Sequence, residues 1–164
     1  MRRLIASAVA LLLLATLPPG AANAEAPQSD NRVLKKYAAD TWRSMVAMLE
    51  PSTGLVADNI EGDLSPASRS AYTSPTNIGG YLWSAVTARD LGFISRREAN
   101  QRIEQTLRTL GRLERHPASG MFYNWYDPET GAKLTFWPPD GTPRTPFLSS
   151  VDNGWLAAAL VVVR

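Results

Sequence analysis

Apolar residues recur at helical spacing in four stretches of this chain, and the connections between them alternate long, short, long. Between about Asn31 and Leu49, the residues Leu34, Tyr37, Thr41, Met45 and Met48 share one face, with Lys35, Lys36, Asp40 and Arg43 mostly off it. Pro51 and Gly54 stop that helix. The second predicted helix opens at Ser74-Pro75, a capping hydroxyl with proline in the first helical position. It runs through Ile78, Tyr81, Leu82, Ala85 and Val86 and closes at Gly92. The third follows at once. Ser95-Arg96-Arg97-Glu98 reads as a capping box, and Ile103, Leu107, Leu110 and Leu113 form a narrow apolar stripe on a charged helix. His116, before Pro117, reads as a C-terminal cap on that helix. The fourth starts near Ser150, and Leu156–Val163 contains no polar residue, which predicts burial on every side and a core position for Trp155.

Helices one and three are amphipathic, while two and four are mostly apolar. That alternation predicts an all-α array in two layers, with outer helices shielding inner ones. Antiparallel neighbours make helices two and four parallel, so their N-termini share one rim. Both long loops, 51–73 and 117–149, lead into those N-termini, which makes that rim the natural place for a site. A faint repeat agrees with this. Tyr72-x-Ser74-x-x-Asn77-x-Gly79 aligns with Phe147-x-Ser149-x-x-Asp152-x-Gly154 at a constant offset of 75 residues. It puts Asn77 and Asp152 at equivalent first-turn positions, where free N–H groups and the positive end of the helix dipole suit a carboxylate.

Composition removes several function classes. Arg2-Arg3, the apolar run Ala6–Leu17 and Ala22-Asn23-Ala24 read as a secretory signal peptide over residues 1–24, which predicts a secreted protein with no stable membrane insertion once the leader is removed. Lys and Arg number 17 against 15 Asp and Glu; without Arg2 and Arg3 the two signs balance, so nothing calls for nucleic acid. There is no cysteine to staple an exported fold and a single histidine, so no metal site and no cofactor is expected. Asp58, Glu61 and Asp63 lack the spacing of a calcium loop and read as a solvated loop.

The candidate chemistry lies between Gly120 and Asp152. Six of the 14 aromatic residues (Phe122, Tyr123, Trp125, Tyr126, Phe136 and Trp137) fall within 16 residues of that stretch, interleaved with Asp127 and Glu129 and followed by Asp140. Flat rings beside acids suit a sugar, whose C–H faces stack on aromatics while its hydroxyls need polar partners. Paired carboxylates are also what cleavage of a glycosidic bond requires. Asp127 heads an Asp-Pro-x-x-Gly sequence and reads either as a turn residue or as a reacting carboxylate. Asp152 is either a helix-start carboxylate or a catalytic one. Asn77 is a capping amide or a hydroxyl ligand, and Asp58 a loop acid or a cleft residue.

Five ordered motifs carry a resemblance. Tyr72-Thr73-Ser74-Pro75-Thr76-Asn77-Ile78-Gly79, Ala88-Arg89-Asp90-Leu91-Gly92, Thr109-Leu110-Gly111-Arg112-Leu113-Glu114-Arg115, Phe122-Tyr123-Asn124-Trp125-Tyr126-Asp127 and Ser149-Ser150-Val151-Asp152-Asn153-Gly154 resemble the glycoamylase-like domain of cyclic β-1,2-glucan synthases and of secreted bacterial glucoamylase-family proteins. The resemblance implies an (α/α)6 toroid around a sugar cleft. It also implies a glycoside hydrolase or transglycosylase acting on a glucan, β-1,2-linked glucan foremost. About four helices supply only part of such a toroid, so residues 25–164 are expected to be its N-terminal part, truncated at the C-terminus and without the full catalytic set. On this reading Asp152 and Asp127 are the catalytic candidates, and Trp125, Tyr126, Asn124, Asn77 and Asp58 bind an oligo- or polysaccharide. Two rival readings are a non-catalytic glycan-binding protein and a polysaccharide lyase on a similar toroid, the latter using Tyr123, Asn124 and Arg144.

Overall fold

The structure, a computed structural model, describes residues 28–164. The leader expected over residues 1–24 lies outside them. Four helices are present: α1 (Gln28–Ala47), α2 (Pro75–Asp90), α3 (Arg96–Leu110) and α4 (Ser150–Val162). A two-stranded antiparallel hairpin, β1 (Phe136–Trp137) and β2 (Thr142–Pro143), stands in the long loop before α4.

Three serines start three of the helices. The Ser74, Ser95 and Ser149 hydroxyls accept the backbone N–H groups of Asn77, Glu98 and Asp152 at 3.3, 3.1 and 3.1 Å. Each satisfies a donor that the first helical turn leaves without an intrahelical partner. The box predicted at α3 is half made, because the Glu98 carboxylate turns instead to Arg102, at 2.8 Å. Gly92 closes α2 in the left-handed region, with φ at +74°. His116 does not cap α3. Its ring accepts from Ser119 N–H at 3.3 Å and its carbonyl from Gly120 N–H, so it shapes the next turn.

Helix α2 is the centre of the packing. It buries Ile78, Gly79, Tyr81, Leu82, Ala85 and Ala88. Ile78, Leu82, Leu156, Ala159, Ile103, Leu110 and Tyr126 belong to one core cluster. Withdrawing a side chain such as Ile78 or Leu82 fully from water contributes about 1.5–3 kcal/mol. Gly79 lets α4 approach: a Cβ there would lie 3.1 Å from Leu156 Cα and 3.2 Å from the Trp155 carbonyl oxygen. Towards their other ends Val86 and Arg89 line one cleft with Val162 and Val163. The two helices therefore run parallel, as the alternating layers predict.

Two apolar faces differ from expectation. Helix α4 is not enclosed: Leu156 and Ala159 are buried, while Val151, Trp155 and Val161 stand 67, 54 and 75% exposed. An apolar sequence sets the capacity to be covered, and the neighbours present decide which side is. On α1, Leu34 and Tyr37 are exposed, while Trp42 stacks on Tyr81 with centroids 6.0 Å apart. Trp83, Thr41, Trp42, Gly80 and Leu91 line an apolar groove of about 390 Å³ between α1 and α2.

The first long loop is held down on α3. Thr106 Oγ1 donates to the Gly54 carbonyl at 2.7 Å, and Gln105 Nε2 to the Pro51 carbonyl at 2.6 Å. A bridge between Leu49 and Val56 turns the chain back, burying Leu55, Val56 and Ala57 and delivering Asp58 to the rim.

Candidate functional site

The rim is built on three residues, Asn124-Trp125-Tyr126, fixed at both ends by backbone. Asn124 N–H donates to the Phe147 carbonyl at 3.0 Å, on the approach to α4. Tyr126 N–H donates to the Thr73 carbonyl at 3.0 Å, and Thr73 N–H returns to Tyr126 at 2.8 Å, on the approach to α2. The tripeptide therefore ties together two helix starts that lie far apart in sequence. Trp125, between the two anchored residues, reaches aromatic rings and the Asn124 amide at the rim.

Asp152 takes its place from α4. Its Oδ2 accepts the Ser149 hydroxyl. The orientation of the Asn124 amide that satisfies both of its neighbours donates to the same Asp152 oxygen at 3.1 Å and accepts Trp125 Nε1–H at 3.2 Å. Asn124 itself is buried. A buried amide needs its partners, so it holds the carboxylate and the indole in a fixed relation. At the start of α2, Asn77 Nδ2 donates to Asp58 Oδ1 at 2.7 Å, and Asn59 Nδ2 to Asp58 Oδ2 at 3.3 Å. Asn59 also reaches the Tyr72 hydroxyl at 3.2 Å.

An aromatic wall joins the two carboxylate groups. Tyr72 meets Trp125 edge-on at 5.3 Å and Trp137 at 4.4 Å, and Trp125 meets Trp137 at 5.5 Å. The Arg144 guanidinium lies 5.0 Å from the Trp137 ring centre. Contacts thus run unbroken from Asp152 through Asn124, Trp125, Tyr72 and Asn59 to Asp58 and Asn77. The structure brings together Asp152, Asn124, Trp125, Asn77 and Asp58 of the residues expected from sequence.

Two expected residues stand elsewhere. Asp127 Oδ1 accepts the N–H groups of Glu129 and Thr130 at 2.8 and 3.0 Å, and the Asp127 carbonyl accepts Gly131 N–H. That is the turn alternative, with the side chain closing its own backbone. Asp127 lines a separate cleft of about 300 Å³ with Glu50, Arg69 and Ser70, and not the group around Asp152. Tyr126 is wholly buried, and a ring with no exposed face cannot stack on a sugar. Its hydroxyl donates to the Glu114 carbonyl at 2.6 Å and accepts Tyr123 N–H at 2.8 Å. Burial pushes that hydroxyl up to about 12, with the Tyr123 N–H acting the other way. Tyr126 is a scaffold residue beneath the rim.

Sequence reasoning gave Tyr72 no role at the rim, and named Trp137 only within the aromatic cluster and Arg144 only in the lyase reading. The Asp140-Gly141 pair between Phe136-Trp137 and Thr142 was the available sign of a hairpin that could carry Trp137 inward. Of the residues in the lyase reading, Tyr123 carries Lys133 and His116 on its ring, and Arg144 packs on Trp137. No cluster of three or more potential metal ligands occurs among the described residues, and no described helix is long and apolar enough to cross a membrane.

Comparison with known proteins adds ancestry to this geometry. Residues 36–164 match the family described as a protein of unknown function, DUF3131. Over 131 residues the chain is 35% identical to the cyclic β-(1,2)-glucan synthase NdvB of Rhizobium meliloti (strain 1021), a match covering 79% of this chain and 4% of that protein. A crystal structure provisionally assigned as a glucoamylase, from Bacteroides fragilis NCTC 9343, superposes with a TM-score of 0.66 at 21% identity, over 87% of this chain and 32% of that one. A β-1,2-glucanase from Parabacteroides distasonis gives 0.63 at 22% identity, over 82% of this chain and 18% of that one. The chain spans about a third or less of these solved structures, whose glucoamylase-like fold it shares, and a small part of the synthase.

Proposed function

The chain belongs to the DUF3131 family, and on that footing we propose that it forms the N-terminal part of a glycoamylase-like (α/α)6 toroid that processes a glucan, β-1,2-linked glucan foremost. The observation that carries this reading is the Asn124 amide, which ties a helix-start carboxylate to an indole at one rim. A sugar ring offers apolar C–H faces and hydroxyls at once, and this rim presents rings, carboxylates and amides in one contact network. The relative with a β-(1,2)-glucan synthase activity in its name supports the linkage. The uncovered apolar flanks, Val151, Trp155 and Val161 on α4 and the groove beside α2, are where neighbouring helix pairs of the toroid would pack. The leader read from the sequence over residues 1–24 supports export of the domain from the cell.

In this mechanism the rim orients one glucosyl unit against Asp152, whose Oδ1 is the oxygen not engaged by Ser149 and Asn124. A second carboxyl completes acid–base cleavage through an oxocarbenium-like transition state, and the spacing of the pair sets the stereochemical outcome. Asp58 is the other carboxylate on the contact network. Asp127 contributes by closing the turn behind Tyr126. The test is release of reducing ends from β-1,2-glucan, with binding followed separately by calorimetry. Asp152→Asn is expected to lower turnover by about 100-fold or more while binding changes little, the pattern of a group acting on the transition state. Undiminished turnover in that variant removes Asp152 from the chemistry. A glycan-binding role without cleavage is favoured by one feature, the engagement of both Asp58 and Asp152 by side-chain amides. It predicts tryptophan quenching with no product.

A further inference from the structure

The offset repeat places an aromatic residue two positions before each capping serine: Tyr72 before Ser74, and Phe147 before Ser149. Their surroundings are opposite. The Tyr72 ring is packed by Trp125 and Trp137, and its hydroxyl is bonded to Asn59. The Phe147 ring is 48% exposed, and among the described residues no other ring or guanidinium packs on it. Its backbone is nonetheless fixed, because its carbonyl accepts the N–H of Asn124, the residue whose amide holds Asp152. Pro146 precedes it and restricts the backbone on that side as well. The other exposed aromatic rings are Trp83 on the groove beside α1, Trp155 on α4, Tyr37 on α1 and Phe136 on the hairpin. Phe147 combines an open ring face with a backbone attachment to the asparagine that holds the carboxylate.

We propose that Phe147 is the stacking platform for the glucosyl ring that lies against Asp152, and so a substrate-positioning residue rather than a catalytic one. A pyranose with equatorial substituents shows bare C–H faces that a flat ring can cover. Covering them also withdraws the phenyl ring from water. Because Phe147 and Asp152 are held by the same asparagine, the stacked sugar is set in register with the carboxylate. The inference rests on the glucan reading of this rim.

The test uses the full chain and a β-1,2-linked glucotriose, followed by calorimetry and by intrinsic tryptophan fluorescence. Phe147→Ala is expected to weaken binding about tenfold. Phe147→Tyr should restore wild-type affinity, and Phe136→Ala, an equally exposed ring on the hairpin, should stay within about twofold. In the whole protein the loss is expected in KM more than in kcat, as for a group that holds substrate without acting on it. Wild-type affinity in Phe147→Ala overturns the platform and leaves the rim reading standing. Equal losses in Phe147→Ala and Phe136→Ala also overturn it, since general surface apolarity would then account for both. No binding by the wild-type chain overturns the glucan reading and this inference with it.

Discussion

Helices α2 and α4 begin alike and are treated differently by the rest of the molecule. Each starts after a capping serine, and each carries a glycine five residues beyond it, Gly79 and Gly154. Around Gly79 the backbone of α4 presses within contact distance, while a Cβ at Gly154 would meet nothing within 4 Å. Seven residues of α2 are buried against two of α4. Local signals therefore decide where a helix starts, and the neighbours decide what it hides. The same contrast separates Tyr72, covered by two tryptophans, from Phe147, left open.

The largest test of that contrast is Gly79→Leu, which forces side-chain atoms into the Leu156 backbone and should destabilise the fold by about 3 kcal/mol. Denaturant unfolding checks it, and an unchanged midpoint would mean that the two helices part more easily than their packing implies. Next comes Tyr126→Phe, which strips a buried hydroxyl from Glu114 and Tyr123 and is expected to cost about 2 kcal/mol. The pH dependence follows from the same group. The folded value is about 12 and the unfolded value about 10, so the unfolded chain loses its proton first. Stability should be full below about pH 10 and fall progressively towards about 12, less steeply in Tyr126→Phe. Ser74→Ala and Ser149→Ala should each cost about 1 kcal/mol, and Ser149→Ala should in addition disturb Asp152, which Ser74→Ala leaves alone. The smallest effect has the opposite sign: Gly154→Ala, in open space within a helix, should stabilise by about 0.5–1 kcal/mol. A loss there comparable to that at Gly79 would break the comparison.

Much of this was legible before the structure. The capping serines, the parallel course of α2 and α4 and the meeting of both long loops at one rim follow from period and punctuation, which are local. The partners of Trp125 were not legible, because Tyr72 and Trp137 reach it from separate segments and nothing local encodes their meeting. Neighbouring residues were also hard to tell apart. Tyr126 is swallowed and Trp125 is not because an extended segment alternates its sides, and its register against Thr73 appears only on folding. Asp127 carried two readings in one sequence pattern, and the turn geometry selects between them.

The hairpin that carries Trp137 is closed at its foot by Arg144 N–H donating to the Thr135 carbonyl at 2.8 Å. Its strands leave the body of the protein and come back at nearly the same place, and Trp137 is its reach back to the wall. Such an arm is a module: lengthening or exchanging its tip adds little closure entropy and leaves the helices undisturbed. Descendants of this fold could reshape the mouth of the cleft there, one graft at a time, while everything beneath stays as it is.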